Sequence, residues 1–150
     1  MGVFAFCTRT AILRYGFCHL QRKREGRKTK KIAILTCLNA AGSCCTGASC
    51  LAAFQNRSGA FQSYQGEELQ LTAFFHCNGC QPEQSLEEKT DRILHIRPDA
   101  VHLGVCTLKK DGSRCPKIQA MDGVFRDAGI PVINGTHSSP RLENIGEPIP

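Results

Sequence analysis

The chain has 150 residues, of which 41% are hydrophobic and 21% charged, with ten cysteines, no tryptophan and a formal net charge of +6. That is one domain's worth of chain, long enough to bury a core, and no run reaches the ~18 apolar residues of a membrane-spanning helix. The charge is local: residues 1–31 hold nine Lys or Arg against the single acid Glu25, whereas the rest holds ten basic and twelve acidic groups. The folded body is therefore slightly acidic, which argues against specific nucleic-acid recognition, since a basic tail alone attracts phosphates only non-specifically.

Residues 1–30 read as a basic leader outside the fold. Arg9 and Arg14 interrupt its only apolar stretch, so it lacks the form of a secretory signal. Phe6 stands where the myristoylation pattern needs Ser or Thr. Gln21–Lys31 (QRKREGRKTKK) is what a purine-rich ribosome-binding stretch looks like when translated in frame, which suggests a start codon placed too early. Against this, the stretch contains no Met, Val or Leu. A disordered tail or an organelle-targeting leader are the alternatives. Without a secretory signal the expected compartment is the reducing cytoplasm, where thiols stay free for metal or catalysis.

From Lys31 the pattern becomes regular. Ile32–Thr36 predicts a buried strand, ending at Cys37. Asn39–Ser49, rich in Gly, Ala and Cys, reads as a loop. Cys50–Phe61 carries a modest helical signal through Leu51, Phe54 and Phe61. Leu69–Phe75 predicts a second strand before Cys77. Pro82 fits the first turn of a helix whose buried stripe is Leu86, Ile93 and Leu94. Ala100–Val105 predicts a third strand ending at Cys106. Ile118, Met121, Val124, Phe125 and Ala128 form a helical stripe closed by Gly129. Ile130–Ile133 predicts a fourth strand, ahead of Asn134, Gly135, Thr136 and His137. The Pro-containing tail 138–150 looks irregular.

Strands that are continuous apolar runs, alternating with helices, indicate an α/β fold: a small three-layer sandwich around a mostly parallel four-stranded sheet, flavodoxin-like or Rossmann-like. Right-handed crossovers then bring all strand carboxyl ends to one edge, where such sheets bind ligands. Cys37, Cys77, Cys80, Cys106 and His137 all fall at that edge, with Cys44, Cys45 and Cys50 in the first loop and Cys115 in the third. Only Cys7 and Cys18, in the leader, stand apart. Adjacent strands are ~4.8 Å apart, and thiolates sharing a zinc stand roughly 3.7 Å apart, so neighbouring strand ends are within reach of a common ion.

Cys77-Asn78-Gly79-Cys80 is the sharpest motif. Two cysteines spaced by two residues can chelate one ion, and Gly79 permits the tight turn. The same spacing serves a redox dithiol, with Cys80 expected near a helix N-terminus that would stabilise its thiolate. Two incidental buried thiols are the plain alternative.

These segments together, KIAILTC (31–37), CTGASCLAAFQNRSGAF (45–61), FFHCNGC (74–80), DAVHLGVC (99–106), RCP (114–116) and GIPVINGTH (129–137), resemble the CGGC-domain family. Its members are small proteins, mainly of anaerobic prokaryotes, regarded as metal binders without a well-defined activity. The resemblance covers residues 31–137. It implies that Cys37, Cys45, Cys50, Cys77, Cys80, Cys106, Cys115 and His137 form the functional set. Asn78 replaces the glycine of the eponymous motif, and Asn is among the residues that best tolerate left-handed backbone. Cys44 is an additional cysteine, which leaves open which of the adjacent pair binds.

The histidines divide. His137 is a candidate ligand or acid–base group. His102, about 13 Å down its strand from Cys106 at ~3.3 Å per residue, reads as a hydrogen-bonded core histidine. His76 should face away from Cys77 and support the site from behind. His95 reads as solvent-facing near a helix C-terminus, and His19 belongs to the leader.

Thiolates repel, so gathering several needs a cation. Thiol donors suit zinc, iron–sulfur or copper(I) and disfavour magnesium or calcium. Eight exceed the four of a structural zinc, which suggests a cluster, two sites, or a metal site beside a redox dithiol. Three classes remain: a soft-metal-binding protein, holding zinc or an iron–sulfur cluster; a thiol- or metal-dependent redox enzyme using Cys77 and Cys80; and a zinc- or disulfide-stabilised structural module. No membrane contact or specific nucleic-acid partner is expected. No glycine-rich phosphate fingerprint follows the first strand and no nucleophilic-serine motif occurs, which argues against nucleotide and hydrolase chemistry.

Overall fold

A computed structural model describes residues 28–80 and 86–139. The leader with Cys7, Cys18 and His19, the expected helix start at Pro82, and the tail from Pro140 lie outside these residues. Four strands, β1 (Lys30–Thr36), β2 (Leu69–His76), β3 (Ala100–Leu103) and β4 (Val132–Asn134), form one sheet in the order β2-β1-β3-β4, parallel throughout. The expected α/β sandwich is the architecture found. Lys30, assigned above to the leader, is instead the first residue of β1, where its ammonium pairs with Glu67 at 2.8 Å.

The connections are α1 (Leu38–Ser43) and α2 (Ala48–Asn56) with a 3-10 turn at Gly59–Tyr64, then α3 (Glu87–Ile96), then α4 (Pro116–Asp127). The path from β1 to β2 runs one way along the sheet, and the paths to β3 and β4 run the other way. Crossovers of one hand must then lie on opposite faces. The cores follow that rule. Ile32, Ile34 and Ala100 pack with Ala53, Phe61 and Tyr64 on one face. Ala33, Leu35, Val101 and Leu103 pack with Ile93, Ile118, Met121 and Phe125 on the other. β1 alternates between the two, which is why its interior is apolar on both sides. Phe61 and Phe125 are fully buried, each contributing on the order of 2–3 kcal/mol of burial.

Three local expectations are corrected. Asn39–Ser49 is not all loop: α1 takes it as far as Ser43 and α2 begins at Ala48, with only 44–47 between them. Ala40 and Ala41 are the best helix formers, and the abundance of small residues masked that propensity. In α2 the inward residues are Cys50 and Ala53, whereas Leu51 is 36% exposed. In α4 Ile118, Met121 and Phe125 are buried at spacings of three and four, whereas Val124 falls off that stripe and is 40% exposed. Ala128 is the exposed cap that ends the helix, with Gly129 following it.

Register carries the fold to the site. Thr36 stands beside His76, Leu35 beside Leu103, and Leu103 beside Asn134. The residues that follow each strand therefore emerge level with one another at the carboxyl edge.

Candidate metal centre

The order of the strands reverses at β1, so the loops after β1 and β3 leave the sheet in opposite directions and open a crevice between them. Cys37 begins the first of these connections and Cys106 lies in the second, on a 3-10 turn (Val105–Thr107) just past the end of β3. The Cys37 backbone N–H donates to Cys106 Sγ at 3.3 Å. The next N–H, of Leu38, donates to Cys77 Sγ at 3.5 Å. Two consecutive peptide groups at the start of α1 thus receive a sulfur from the β3 side and a sulfur from the β2 side. Cys77 is itself tied to β1 by its N–H to the Thr36 carbonyl at 3.1 Å. Gly104 makes the approach possible: a Cβ there would stand 3.1 Å from Thr36 Cγ2 and 3.3 Å from Cys106 Sγ.

Cys106 also feels the thiols of Cys45, Cys50 and Cys37. Burial pushes its thiol up to about 11, against the opposing effect of the Cys37 N–H. Burial likewise raises Cys50, which Thr136 lowers in part and Cys45 raises further. Both hold their protons at neutral pH unless a cation compensates the charge. All eight described cysteines are free thiols.

The loop after β4 is clamped from several sides. Gly135 N–H donates to the Leu103 carbonyl at 2.9 Å, and Ala60 N–H donates to the Thr136 carbonyl at 3.0 Å. The Thr136 hydroxyl meets Cys50 Sγ at 3.2 Å in a buried contact. Gly59, at φ +59°, lies so close that a Cβ would stand 2.4 Å from the Thr136 oxygen and 3.0 Å from His137 Cα. Beneath, fully buried His102 contacts the Gly135 carbonyl through Nδ1 at 3.1 Å and the Tyr64 hydroxyl through Nε2 at 3.1 Å. A carbonyl only accepts, so Nδ1 carries the proton and Nε2 accepts from Tyr64. Burial lowers this imidazole to about 4. His102 is the hydrogen-bonded core histidine expected above.

His137 projects from this clamped loop. Its Nδ1 is buried without a partner, and it lines a pocket of about 250 Å³ with Cys44, Cys45 and Cys50. A buried imidazole nitrogen without a partner is costly, and it marks a place where an acceptor or a cation is expected. Cys44 is exposed at the rim, Cys45 half-buried and Cys50 buried.

The other cysteines divide. Cys77 is buried in the core beneath α3 and α4, against which Cys115, the cap residue of α4, also packs. Cys80 is exposed and accepts from the Asn39 side-chain amide at 3.1 Å. Among the described residues, the helix that follows Cys80 is α3, from Glu87; the start expected nearer Cys80 lies outside those residues. In the turn, Gly79 takes the left-handed conformation at φ +82° while Asn78 does not, so the exchange of glycine for Asn78 brings no backbone strain. His76 contacts Thr36 Oγ1, and His95 is exposed in the last turn of α3. Sequence reasoning missed Thr136, Asn39 and Gly59 as parts of the site. Only the glycine left a trace, as an isolated Gly near the end of the helical segment predicted over Cys50–Phe61.

The donor types, thiol and imidazole, are those that soft and borderline ions prefer. Among the described residues, however, no three His, Cys, Asp or Glu side chains stand close enough to hold one ion. Closing a shell requires side-chain rotation. No described helix is long and apolar enough to cross a membrane.

The CGGC-domain family model matches residues 31–137. The chain belongs to the CGGC-domain family. An uncharacterized protein of Methanocaldococcus jannaschii is 28% identical over 116 residues, covering 72% of this chain and 87% of that protein. No solved structure matches. The six segments quoted above for the CGGC resemblance lie within the matched span, and it is these segments that supply both the sheet's carboxyl edge and the loops around the thiols.

Proposed function

We propose that this CGGC-domain protein binds a soft metal, zinc or an iron–sulfur cluster, at the carboxyl edge of its sheet. Cys37, Cys45, Cys50, Cys77, Cys106 and His137 form the centre of the proposed site. Cys80, Cys115 and, at the rim, Cys44 complete the ligand supply. The observation that carries this reading is the position of Cys106 Sγ, on the Cys37 N–H and within electrostatic reach of the Cys37, Cys45 and Cys50 thiols. Such an arrangement is unfavourable for thiolates alone and becomes favourable when a cation replaces their protons. The chain's own contribution is to fix the donors: peptide N–H groups hold Cys106 and Cys77, Thr136 holds Cys50, and Gly59 and His102 hold the backbone that carries His137.

Elemental analysis and absorption spectroscopy of anaerobically purified protein test this. Visible absorption with iron and sulfide identifies a cluster, and colourless protein with stoichiometric zinc identifies a zinc site. Folded protein with no metal and no affinity for either overturns the proposal.

A second reading, a thiol-dependent redox enzyme, draws on one observation. The Cys80 thiol is exposed and accepts an amide N–H from Asn39, and a reactive thiol must be accessible. Cys80→Ser separates the two. Metal lost from a folded protein supports the first reading, and a thiol-dependent turnover lost with metal retained supports the second. Global unfolding on chelation favours a structural role for the metal.

A further inference from the structure

At the end of β4 the surface holds a second pocket of about 430 Å³, with no cysteine in its lining, formed by Leu108, Arg114, Gln119, Asp122, Arg126 and Asn134. That volume lies within the range of small-molecule sites. Its charged lining is two guanidinium groups and one carboxylate, so it carries one uncompensated positive charge. Arg114 belongs to the RCP segment, which metal binding by Cys115 does not explain.

The donors and acceptors do not balance. Asp122 accepts from Arg114 Nη1 at 3.0 Å through one oxygen and from Arg126 Nε at 2.6 Å through the other. Arg114 Nη2 donates to the Asn134 side-chain oxygen, and Arg126 Nη2 donates to the Val132 carbonyl at 3.0 Å. A guanidinium has five N–H donors. Arg114 Nε–H remains buried with no acceptor, although its side chain is only 14% exposed. The Arg126 side chain is 51% exposed, which leaves its remaining N–H donors open to solvent or to a ligand. Asp122 is shared between both arginines and supplies no further charge. Two guanidinium groups joined through Asp122 thus share one concavity that carries further N–H donors, a surplus charge and the apolar wall of Leu108.

We infer that this pocket binds the carboxylate of a small organic anion, with Arg126 and Arg114 as its donors. Two planar forks favour a planar, bidentate acceptor over a tetrahedral one. Asp122 and Asn134 set the guanidinium planes, and Leu108 faces the apolar remainder of the ligand. The pocket stands apart from the metal reading in that no cysteine lines it, although Cys115 follows Arg114 in the chain.

The test is a heteronuclear NMR titration of the full chain with sodium benzoate, in parallel with inorganic phosphate and with sodium chloride at matched ionic strength. Saturable benzoate shifts confined to Gln119, Arg126, Asn134 and the Arg114 Nε–H signal are expected. Arg126→Gln, at a half-exposed side chain, should keep the spectrum of the folded protein and weaken benzoate by about tenfold or more. Arg114→Lys, which keeps the charge and loses the fork, should weaken it while phosphate and chloride responses stay unchanged. Benzoate shifts no larger than those of chloride overturn the proposal, as does equal binding by Arg126→Gln. Tighter binding of phosphate than of benzoate overturns the carboxylate assignment.

Discussion

The peptide N–H of Cys37 lies 3.3 Å from the sulfur of Cys106, across 69 positions of chain. This one contact joins the loops after β1 and β3, and so closes the crevice in which the proposed site lies. It also gives Cys106 the most connected position among the thiols. Cys106→Ser should therefore lower metal affinity by at least the ~10–100-fold that losing even an outer partner of a metal site costs. Competition against a chromogenic chelator measures it. Unchanged affinity would remove Cys106 from the site.

Burial orders the thiols by reactivity. Cys44 and Cys80 are exposed, whereas Cys50 and Cys77 are each 3% exposed. In metal-free protein, iodoacetamide should label Cys44 and Cys80 first and Cys50 and Cys77 last, with peptide mapping as the readout. Added metal should slow Cys45 and Cys106 as well. Early labelling of Cys50 would contradict the packing described.

The Cys106 thiol titrates near 11 in the fold, above its ordinary 9.0. Folding therefore favours its protonated form. That contribution is complete below about pH 9 and is lost as pH rises toward about 11. Metal-free protein should lose stability across this window. Metal affinity should rise with pH from neutrality, because each ligand must first release its proton. Denaturant titrations and chelator competition at several pH values check both.

His102 works in the opposite sense. Its folded value of about 4 lies below the ordinary 6.5, so folding favours the neutral ring. The stability that this provides is complete above about pH 6.5 and lost as pH falls toward about 4, on the order of 3 kcal/mol at most. His102→Phe keeps the ring but leaves the Gly135 carbonyl and the Tyr64 hydroxyl without their partner. It should cost about 2–4 kcal/mol at pH 7 and remove this acid sensitivity. Denaturation at pH 7 and pH 4.5 distinguishes the two effects.

Gly59→Ala places a methyl 2.4 Å from the Thr136 oxygen at a φ of +59°. Backbone must move, and the part that moves carries His137. A loss of roughly 1–3 kcal/mol is expected, together with weaker metal binding. A variant that binds metal as tightly as the native chain would show that the clamp on His137 is dispensable.

Much of the fold was legible in the sequence because its signals are local. Apolar runs at Ile32–Thr36 and Leu69–Phe75, and the stripe of Ile118, Met121 and Phe125, reflect burial that each element needs whatever its neighbours are. The conformation of α1 was not, because it depends on what packs there. Small residues serve helix and loop equally until a sheet edge selects one. Val124 was misread because an apolar residue next to a buried stripe leaves the same trace as one within it.

For the proposed site, the sequence by itself determined the address of the candidate donors, since cysteines and a histidine at the ends of parallel strands must share the carboxyl edge. Only the tertiary structure decided their grouping. The register of the strands set Cys77 and Cys106 on consecutive peptide groups. The close approach of Gly59 and the buried hydrogen bonds of His102 held the loop of His137 against Cys50. Those relationships link residues tens of positions apart, and contacts at such separation leave no periodicity in a single chain for a reader to follow.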